Sequence, residues 1–168
     1  MAVVSSASSL SSLRGAQTII QLRAPGLTTR ALEREANELA ASTQLPVIVS
    51  SRCDVALASG AAGVNLPERD IHTADARRLL GERLVGRSVH SLEAAQQAES
   101  EGADFVIFGP VWESSSHPGL PPAGIAALAR IALAVKIPVL AIGGVTRERI
   151  AECHDAGAAG YAAIGMFR

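Results

Sequence analysis

A broken loop past the middle of the chain carries residue types that proton-transfer chemistry uses. The loop, GPVWESSSHPGLPPAG (residues 109–124), contains Trp112, Glu113 and His117, and its four Pro and three Gly exclude a regular helix or strand. An imidazole titrates near neutrality and a carboxylate can exchange protons with a ligand, so His117 and Glu113 are the predicted catalytic residues, with a solvated loop histidine as the alternative for His117. Trp112 is predicted to cover a flat heterocycle, and anchoring of the loop is the alternative. We therefore interpret the loop as a lid over a binding site.

Three arginines and one serine are predicted to hold an anionic substrate. Arg23, Arg52 and Arg87 carry guanidinium groups, which bind a carboxylate through paired hydrogen bonds. Ser88, next to Arg87, lies at the same predicted strand end, and a helix-capping or sheet-end hydroxyl is the alternative to a role in binding. The alternative for the arginines is structural pairing with carboxylates elsewhere in the chain, namely Glu68, Asp54 and Asp70.

Two glycine-containing stretches near the end of the sequence predict a phosphate site. AIGGVT (residues 141–146) places Gly143 and Gly144 between an apolar run and a helical segment, where backbone N–H groups and the helix dipole favour an anion. AAIGMF (residues 162–167) places Ile164 and Gly165 at the end of the next apolar run. Because TIM barrels commonly bind phosphate in the loops after strands seven and eight, we expect a phosphate there. A tight turn is the alternative for the glycine pair alone.

Apolar runs alternate with amphipathic stretches along the chain, and this order predicts the fold. Helices are clearest at residues 28–42, 91–102 and 146–157, where apolar residues recur at helical spacing or a capping residue precedes them. Eight strands separated by helices predict an α/β fold, a small TIM (β/α)₈ barrel forming a single domain over residues 1–168, with an open doubly wound sheet as the alternative. The predicted strands are residues 3–5, 18–22, 47–49, 63–66, 84–89, 105–108, 139–142 and 161–164.

The predicted barrel is shortened at both ends. Only about a dozen residues separate the first two strands, which leaves room for a stunted first helix, and no final helix is predicted after the eighth strand. The apolar flank near strands one and eight would then need a cover, which predicts a homo-oligomer.

The fold predicts where the chemistry lies, because TIM barrels carry their active sites at the carboxyl ends of the strands. His90, just past the fifth strand, is interpreted as a packing or capping residue, with a catalytic role as the alternative, and His72 and His154 as surface residues. The residues predicted at this end of the barrel are Arg23, Ser50, Ser51, Arg52, Asn65, Asp70, Arg87, Ser88, His90, Gly143, Gly144 and Gly165.

The composition excludes several classes of partner. The 168 residues are 48% hydrophobic and carry a net charge of -1 without a charged block, so neither a nucleic-acid nor a membrane partner is predicted. No apolar run approaches the roughly 20 residues of a membrane span. The start lacks the pattern of a secretory signal, so a cytoplasmic location is expected. Cys53 and Cys153 are isolated in the sequence and are predicted to be reduced and buried.

Several of these motifs occur together in one superfamily. VGRSVHSLEAAQQAESEGADFVIFGPVWESSSHPG, followed by PVLAIGGVT and GAAGYAAIGMF, resembles the thiamine phosphate synthase and TenI superfamily, and IIQLRAP and SSRCDVALASGAAGVNLPERD extend the resemblance upstream. GRSVHS followed by FG-V-E is similar to the TenI branch in particular. The resemblance implies a TIM barrel, a thiazole phosphate ligand and a role in thiamin metabolism. It also implies that Ser88 contacts the ligand, because Ser88 matches a ligand-contacting Ser of the superfamily.

Departures from the synthase pattern cluster on one pocket. Thiamine phosphate synthases carry a Lys where this chain has Pro25, an Asn-Asp pair where it has Ser50 and Ser51, and a second Lys where it has His117. Asp70 falls on the second magnesium-ligand position without a carboxylate partner, which makes a poor magnesium-pyrophosphate site. The synthase reaction, which joins a hydroxymethylpyrimidine pyrophosphate to a thiazole phosphate, is therefore the alternative and not the main prediction.

The TenI branch implies thiazole tautomerase activity, an isomerase reaction in which a proton shift aromatises a carboxythiazole phosphate. This chemistry needs no metal and no cofactor, and none is predicted. The His that serves tautomerases as the acid-base group is replaced by Pro110, so His117 and Glu113 are the predicted replacements. A non-catalytic protein that binds a thiazole phosphate is a further alternative.

Overall fold

Eight parallel strands, ordered along the chain, form the centre of the protein. The structure, a computed structural model, describes residues 1–12, 18–114, 119 and 121–167. Each strand pairs with the next one in the sequence, and a parallel bridge between Ala2 and Ala163 joins the last to the first. This arrangement is a nearly closed TIM barrel, which confirms the predicted fold. The strands are β1 (Ala2–Val4), β2 (Ile20–Leu22), β3 (Val47–Ser50), β4 (Gly63–Leu66), β5 (Leu84–Val89), β6 (Phe105–Phe108), β7 (Val139–Ile142) and β8 (Gly160–Ala162).

Helices connect the strands on the outside of the barrel. The α-helices are α1 (Thr29–Ala41), α2 (Cys53–Ala58), α3 (Thr73–Leu80), α4 (Leu92–Ser100), α5 (Ile125–Ala134) and α6 (Ile150–Asp155), and 3₁₀ helices cover Ala7–Ser12 and Arg147–Arg149. The first 3₁₀ helix lies where a stunted first helix was predicted. No helix follows β8 within the described residues.

Two helices begin with a side-chain cap; the cap of α4 at Ser91 was predicted, whereas Thr146 makes no side-chain cap at the start of the third predicted helix. Thr28 Oγ1 accepts a hydrogen bond from the N–H of Ala31 at the start of α1, and Ser91 Oγ accepts one from the N–H of Ala94 at the start of α4. The third predicted helix is divided, because residues 147–149 form a 3₁₀ turn and only Ile150–Asp155 are α-helical.

The core is aliphatic and lies on both sides of the sheet. Two clusters of buried Ala, Val, Ile and Leu fill the space between sheet and helices, and a third fills the barrel interior around Ile48, Phe105 and Ile107. Cys53 and Cys153 are buried and free, as predicted. None of the helices in the described part of the chain has the length and apolar content that a membrane crossing requires.

The segment after β8 folds back on the barrel. Phe167 is buried in the first core cluster, and its ring stacks on Tyr161 with a centroid distance of 5.9 Å. The chain therefore covers part of the flank near β1 and β8 itself. The homo-oligomer stays a prediction.

Candidate functional site

A cavity opens at the carboxyl ends of the strands, and all eight strands or the loops after them contribute to its wall. Its volume is about 870 Å³, within the range of small-molecule sites. It lies where the chemistry of TIM barrels is expected.

The floor of the cavity has a polar half and an apolar half. Side chains alternate across a strand, so one inward-facing residue near the end of each strand reaches the floor. The polar ones come from β2 to β5 and are Gln21, Ser50, Asn65 and Ser88. The apolar ones come from β6, β7, β8 and β1 and are Ile107, Ile142, Ala162 and Val3. A flat ring can therefore present apolar atoms to one half and polar atoms to the other.

Hydrogen bonds order the polar half but leave one acceptor without a partner. Gln21 Nε2 donates to Ser50 Oγ at 2.7 Å, and Asn65 Nδ2 donates to Ser88 Oγ at 3.0 Å. Asn65 is 4% exposed, and its Oδ1 is buried without a hydrogen bond in the described structure. An unpaired buried oxygen is costly, so a donor from a ligand would be favourable here.

Unpaired backbone amides line the end of the cavity near β7 and β8. Gly143, Gly144, Ile164 and Gly165 all line it, and their N–H groups donate no hydrogen bond to any described residue. Successive free amides of this kind can bind an anion. Arg147, which also lines this end, adds an exposed guanidinium.

The glycine pair is also required by packing. Gly143 and Gly144 have φ values of 89° and 66°, and a Cβ on Gly144 would lie 2.5 Å from the carbonyl oxygen of Glu113 and 2.7 Å from the Cβ of Trp112. The tight turn and the free amides therefore coexist at this position. A 3₁₀ turn and the short helix α6 follow the glycine pair, so no long helix supplies a dipole here. The backbone amides and Arg147 are the groups that attract an anion.

On the other side of the mouth, His90 and Glu68 form a pair. The loop after β4 supplies Glu68 and the end of β5 supplies His90, and both line the cavity. His90 Nδ1 is hydrogen-bonded to Glu68 Oε2. The pair combines an imidazole with a carboxylate that can orient it, an arrangement typical of general acid-base sites.

Asp70 is committed to local hydrogen bonds. Its Oδ2 accepts from the hydroxyl of Ser51, and its Oδ1 accepts from the N–H of Ile71 at 2.8 Å. Neither Ser51 nor Asp70 lines the cavity. The described residues contain no cluster of three or more His, Cys, Asp or Glu suited to a metal. One carboxylate with both oxygens engaged does not fit a magnesium-pyrophosphate site.

Two of the three predicted substrate-binding arginines lie outside the cavity lining. Arg52 pairs with Asp54 at 2.5 Å, and that hydrogen bond holds the pKa of the Asp54 carboxyl below its usual value. Arg87 donates to the carbonyl oxygens of Ile71 and Glu68. Arg52 therefore has the carboxylate partner of the structural alternative, and Arg87 is held by backbone carbonyls instead of carboxylates, whereas Arg23 lines the cavity.

The residues of the predicted lid are divided. Glu113 lines the cavity and is exposed. Trp112 does not line it; Trp112 packs against the second core cluster, and the guanidinium of Arg149 lies 4.9 Å from its ring centre. This arrangement anchors the loop, and a covering role for Trp112 stays a prediction without support here. His117 lies outside the described residues.

Most of the predicted site is brought together, with three additions. Arg23, Ser88, Glu113, Gly143, Gly144, Ile164 and Gly165 share the cavity. Sequence reasoning missed Gln21, Arg147 and the pairing of Glu68 with His90. The alternation of Gln21 between buried apolar neighbours on β2 was a usable signal for an inward polar residue. No pattern indicated which loop carboxylate reaches His90.

Comparison with known proteins relates the chain to a family. The thiamine monophosphate synthase family (TMP-TENI) matches residues 6–167. The thiamine-phosphate synthase of Chloroflexus aurantiacus is 40% identical over 154 residues, covering 89% of this chain and 71% of that protein. That of Anaeromyxobacter dehalogenans is 48% identical over 120 residues, covering 70% and 54%. The solved structure of a thiamine phosphate pyrophosphorylase from Pyrococcus furiosus is similar with a TM-score of 0.81 and 34% identity, covering 89% of this chain and 74% of that one.

Proposed function

Because the chain belongs to the thiamine monophosphate synthase (TMP-TENI) family, we propose that it binds a thiazole phosphate and transfers a proton on it without a metal, as a thiazole tautomerase. The observation that carries the proposal is the set of free amides of Gly143, Gly144 and Gly165 at one end of a cavity that contains proton-transfer groups elsewhere. The chain would then act in thiamin biosynthesis as an isomerase.

The cavity matches the chemistry of such a ligand. The free amides and Arg147 suit the phosphate, and the half-apolar floor suits a methyl-substituted ring. Arg23 stands on the rim after β2 and has no hydrogen-bond partner for its guanidinium among the described residues. It is therefore suited to the ring carboxylate.

Both carboxylate oxygens of Asp70 are engaged in local hydrogen bonds, and the described residues hold no cluster of three or more metal-ligating side chains, which argues against chemistry at a magnesium-bound pyrophosphate. Ser51 stands where the resemblance to synthases implies one metal ligand, and its hydroxyl is hydrogen-bonded to Asp70. Proton transfer within one bound ring requires neither magnesium nor pyrophosphate.

The synthase reaction is the second candidate, and the names of the relatives favour it. Proteins 40% and 48% identical to this chain are called thiamine-phosphate synthases. The cavity volume of about 870 Å³ would also accept two small heterocycles.

Two assays run side by side test the proposal. The first follows the ultraviolet absorbance of the carboxythiazole phosphate tautomer with EDTA present. The second supplies hydroxymethylpyrimidine pyrophosphate, thiazole phosphate and Mg²⁺ and detects thiamine phosphate. Calorimetric titration with thiazole phosphate measures binding in both conditions.

We expect turnover in the first assay at the same rate with and without EDTA. Magnesium-dependent formation of thiamine phosphate with no tautomerisation would establish the second candidate instead. Binding of thiazole phosphate without either reaction would overturn both and indicate a non-catalytic binding protein.

A further inference from the structure

We infer that His90 is the proton-transfer residue of this site and that Glu68 positions it. The inference rests on the proposed function, since it assigns the acid-base group of that reaction. It replaces the loop residues Glu113 and His117 in this role. It also favours the catalytic alternative for His90 over the packing or capping role that the sequence indicated first.

The first support is the placement of the pair across the cavity mouth. The strands follow one another in chain order around the barrel, so the ends of β4 and β5 lie opposite the region of β8 and β1. A ligand whose phosphate binds the amides after β7 and β8 extends its ring away from them. His90 therefore stands where the ring of such a ligand would end, and not where its phosphate would bind.

The second support is the tautomer of the neutral imidazole that the pair favours. An ionised carboxylate only accepts hydrogen bonds, so the proton of a neutral His90 imidazole lies on Nδ1 and is donated to Glu68 Oε2. Nε2 then carries a free lone pair, and it makes no hydrogen bond to any described residue. The His90 side chain is half exposed and lines the cavity, so this nitrogen is accessible to a ligand.

The third support is a framework that holds Glu68. Arg87 Nη2 donates to the carbonyl oxygen of Glu68 at 2.7 Å, and Nη1 donates to that of Ile71 at 2.5 Å. One guanidinium thus fixes two points of the loop between β4 and α3. The carboxylate that orients the imidazole is attached to a braced backbone, as a positioning group requires.

Glu113 is less suitable as the base. It follows Trp112 in the segment that packs directly on Gly144, and its carbonyl oxygen is one of the atoms that a Cβ there would meet. Glu113 therefore borders the anion end of the cavity. An ionised carboxylate that borders a bound phosphate is repelled by it.

The reaction balances with one base. Nε2 of His90 takes the proton from the saturated ring carbon, and the electron pair of that C–H bond moves into the conjugated system. The imidazolium returns a proton to the carbon at the far end of that system, which leaves an aromatic ring. No proton is gained overall and nothing is oxidised or reduced.

The test compares His90→Ala with His72→Ala in the full chain. His72 is the matched control, because it also faces a glutamate, Glu101 at 3.6 Å, but does not line the cavity. The measurements are kcat and KM in the tautomer assay, rescue by added imidazole, and exchange of the carbon-bound protons of the aromatic ligand in D₂O, followed by NMR. Thermal unfolding verifies that each variant folds.

We expect His90→Ala to lower kcat by about 10²-fold or more with KM little changed, since general acid-base catalysis contributes on this scale. Added imidazole should restore part of the rate, which a structural role would not allow. His72→Ala should behave as the wild type. Glu68→Gln should shift the ¹⁵N signals of His90 away from a fixed Nδ1–H tautomer and lower kcat without abolishing it.

The outcomes separate this inference from the proposed function. Tautomerisation by the wild type that persists in His90→Ala within threefold would overturn the inference alone. A wild type that fails to tautomerise but exchanges ligand protons through His90 would overturn the proposed function alone. A wild type that does neither would overturn both.

Discussion

The hydroxyl of Ser51 donates a hydrogen bond to the carboxylate of Asp70, at the two positions where the resemblance to synthases implies metal ligands. The Ser51 backbone has a φ of 70°, in the left-handed region that few residues other than Gly, Asn and Asp adopt readily. Ser51 holds this conformation while its hydroxyl caps Asp70. A hydroxyl and a carboxylate hydrogen-bonded to each other do not form a cation site, whereas two carboxylates at these positions would.

Restoring the second carboxylate should create magnesium binding. Ser51→Asp places two carboxylates side by side, and Asp tolerates positive φ, so the variant should bind Mg²⁺ in a calorimetric titration. The wild type should show no binding under the same conditions. Ser51→Asn is the matched uncharged control and should resemble the wild type. Equal Mg²⁺ affinity in all three proteins would contradict this interpretation of Ser51 and Asp70.

Two glycines at the anion end should respond differently to alanine. Gly144→Ala introduces a Cβ at positive φ against the backbone of the loop after β6 and should lower the free energy of unfolding by about 3 kcal/mol. A Cβ on Gly165 meets nothing within 4 Å, so Gly165→Ala should change stability by less than about 0.5 kcal/mol. Its methyl group enters the cavity and should weaken phosphate binding by about tenfold.

Denaturant unfolding and thiazole phosphate titration measure these effects. Gly26→Ala is the control, because Gly26 is also open and lies outside the cavity lining. Full ligand affinity in Gly165→Ala would show that the phosphate does not bind at this end.

Truncating Asn65 should separate stability from affinity. Asn65→Ala removes one hydrogen bond to Ser88 together with an unpaired buried oxygen, so the free energy of unfolding should change by less than about 1 kcal/mol. A ligand that donates to Oδ1 should bind more weakly to the variant. Asn37→Ala on α1, where Nδ2 donates to the carbonyl oxygen of Glu33, is the control for both measurements. Unchanged affinity in Asn65→Ala would remove Asn65 from the binding site.

Both cysteines should resist alkylation in the folded protein. Burial raises the pKa of the Cys53 thiol, with Asp70 and Asp54 adding to it, and burial likewise raises the pKa of the Cys153 thiol. A raised pKa lowers the reactive thiolate fraction at pH 8. A thiol reagent should therefore modify both residues slowly until denaturant is added and then rapidly. Rapid modification of either one under native conditions would show that its surroundings open readily.

The sequence predicts the barrel well because each strand is a short apolar run between polar residues. β4 to β7 have the predicted bounds, whereas β1 and β8 begin one residue earlier than predicted. Their ends are set by pairing of Ala2 with Ile20 and of Ile142 with Ala162, and register between distant strands is not visible in a single run.

The site is predicted less completely, since loops lack the periodicity that orients side chains. Gly143, Gly165 and Ser88 follow directly from strand ends and line the cavity as expected. Arg52 pairs with a carboxylate two residues away, and Arg87 donates hydrogen bonds to carbonyl oxygens of a loop. Spacing in the sequence does not reveal either contact. The hydrogen bond between His90 and Glu68 joins residues 22 positions apart.

The joint between β8 and β1 has a consequence for the order in which the barrel comes apart. In the described part of the chain, one bridge between Ala2 and Ala163 joins the two strands, with hydrogen bonds from the N–H groups of Val3 and Ala163 and from the amino group of Met1 beside it. By contrast, β4 and β5 share a ladder of four residue pairs. Local opening begins where the fewest bonds must break, so amide hydrogens at this seam should exchange before those of the central strands. A ligand that contacts both Gly165, beside this joint, and His90 would span the cavity mouth and connect the joint to the opposite side of the barrel. Occupancy would then stabilise the least secure part of the fold.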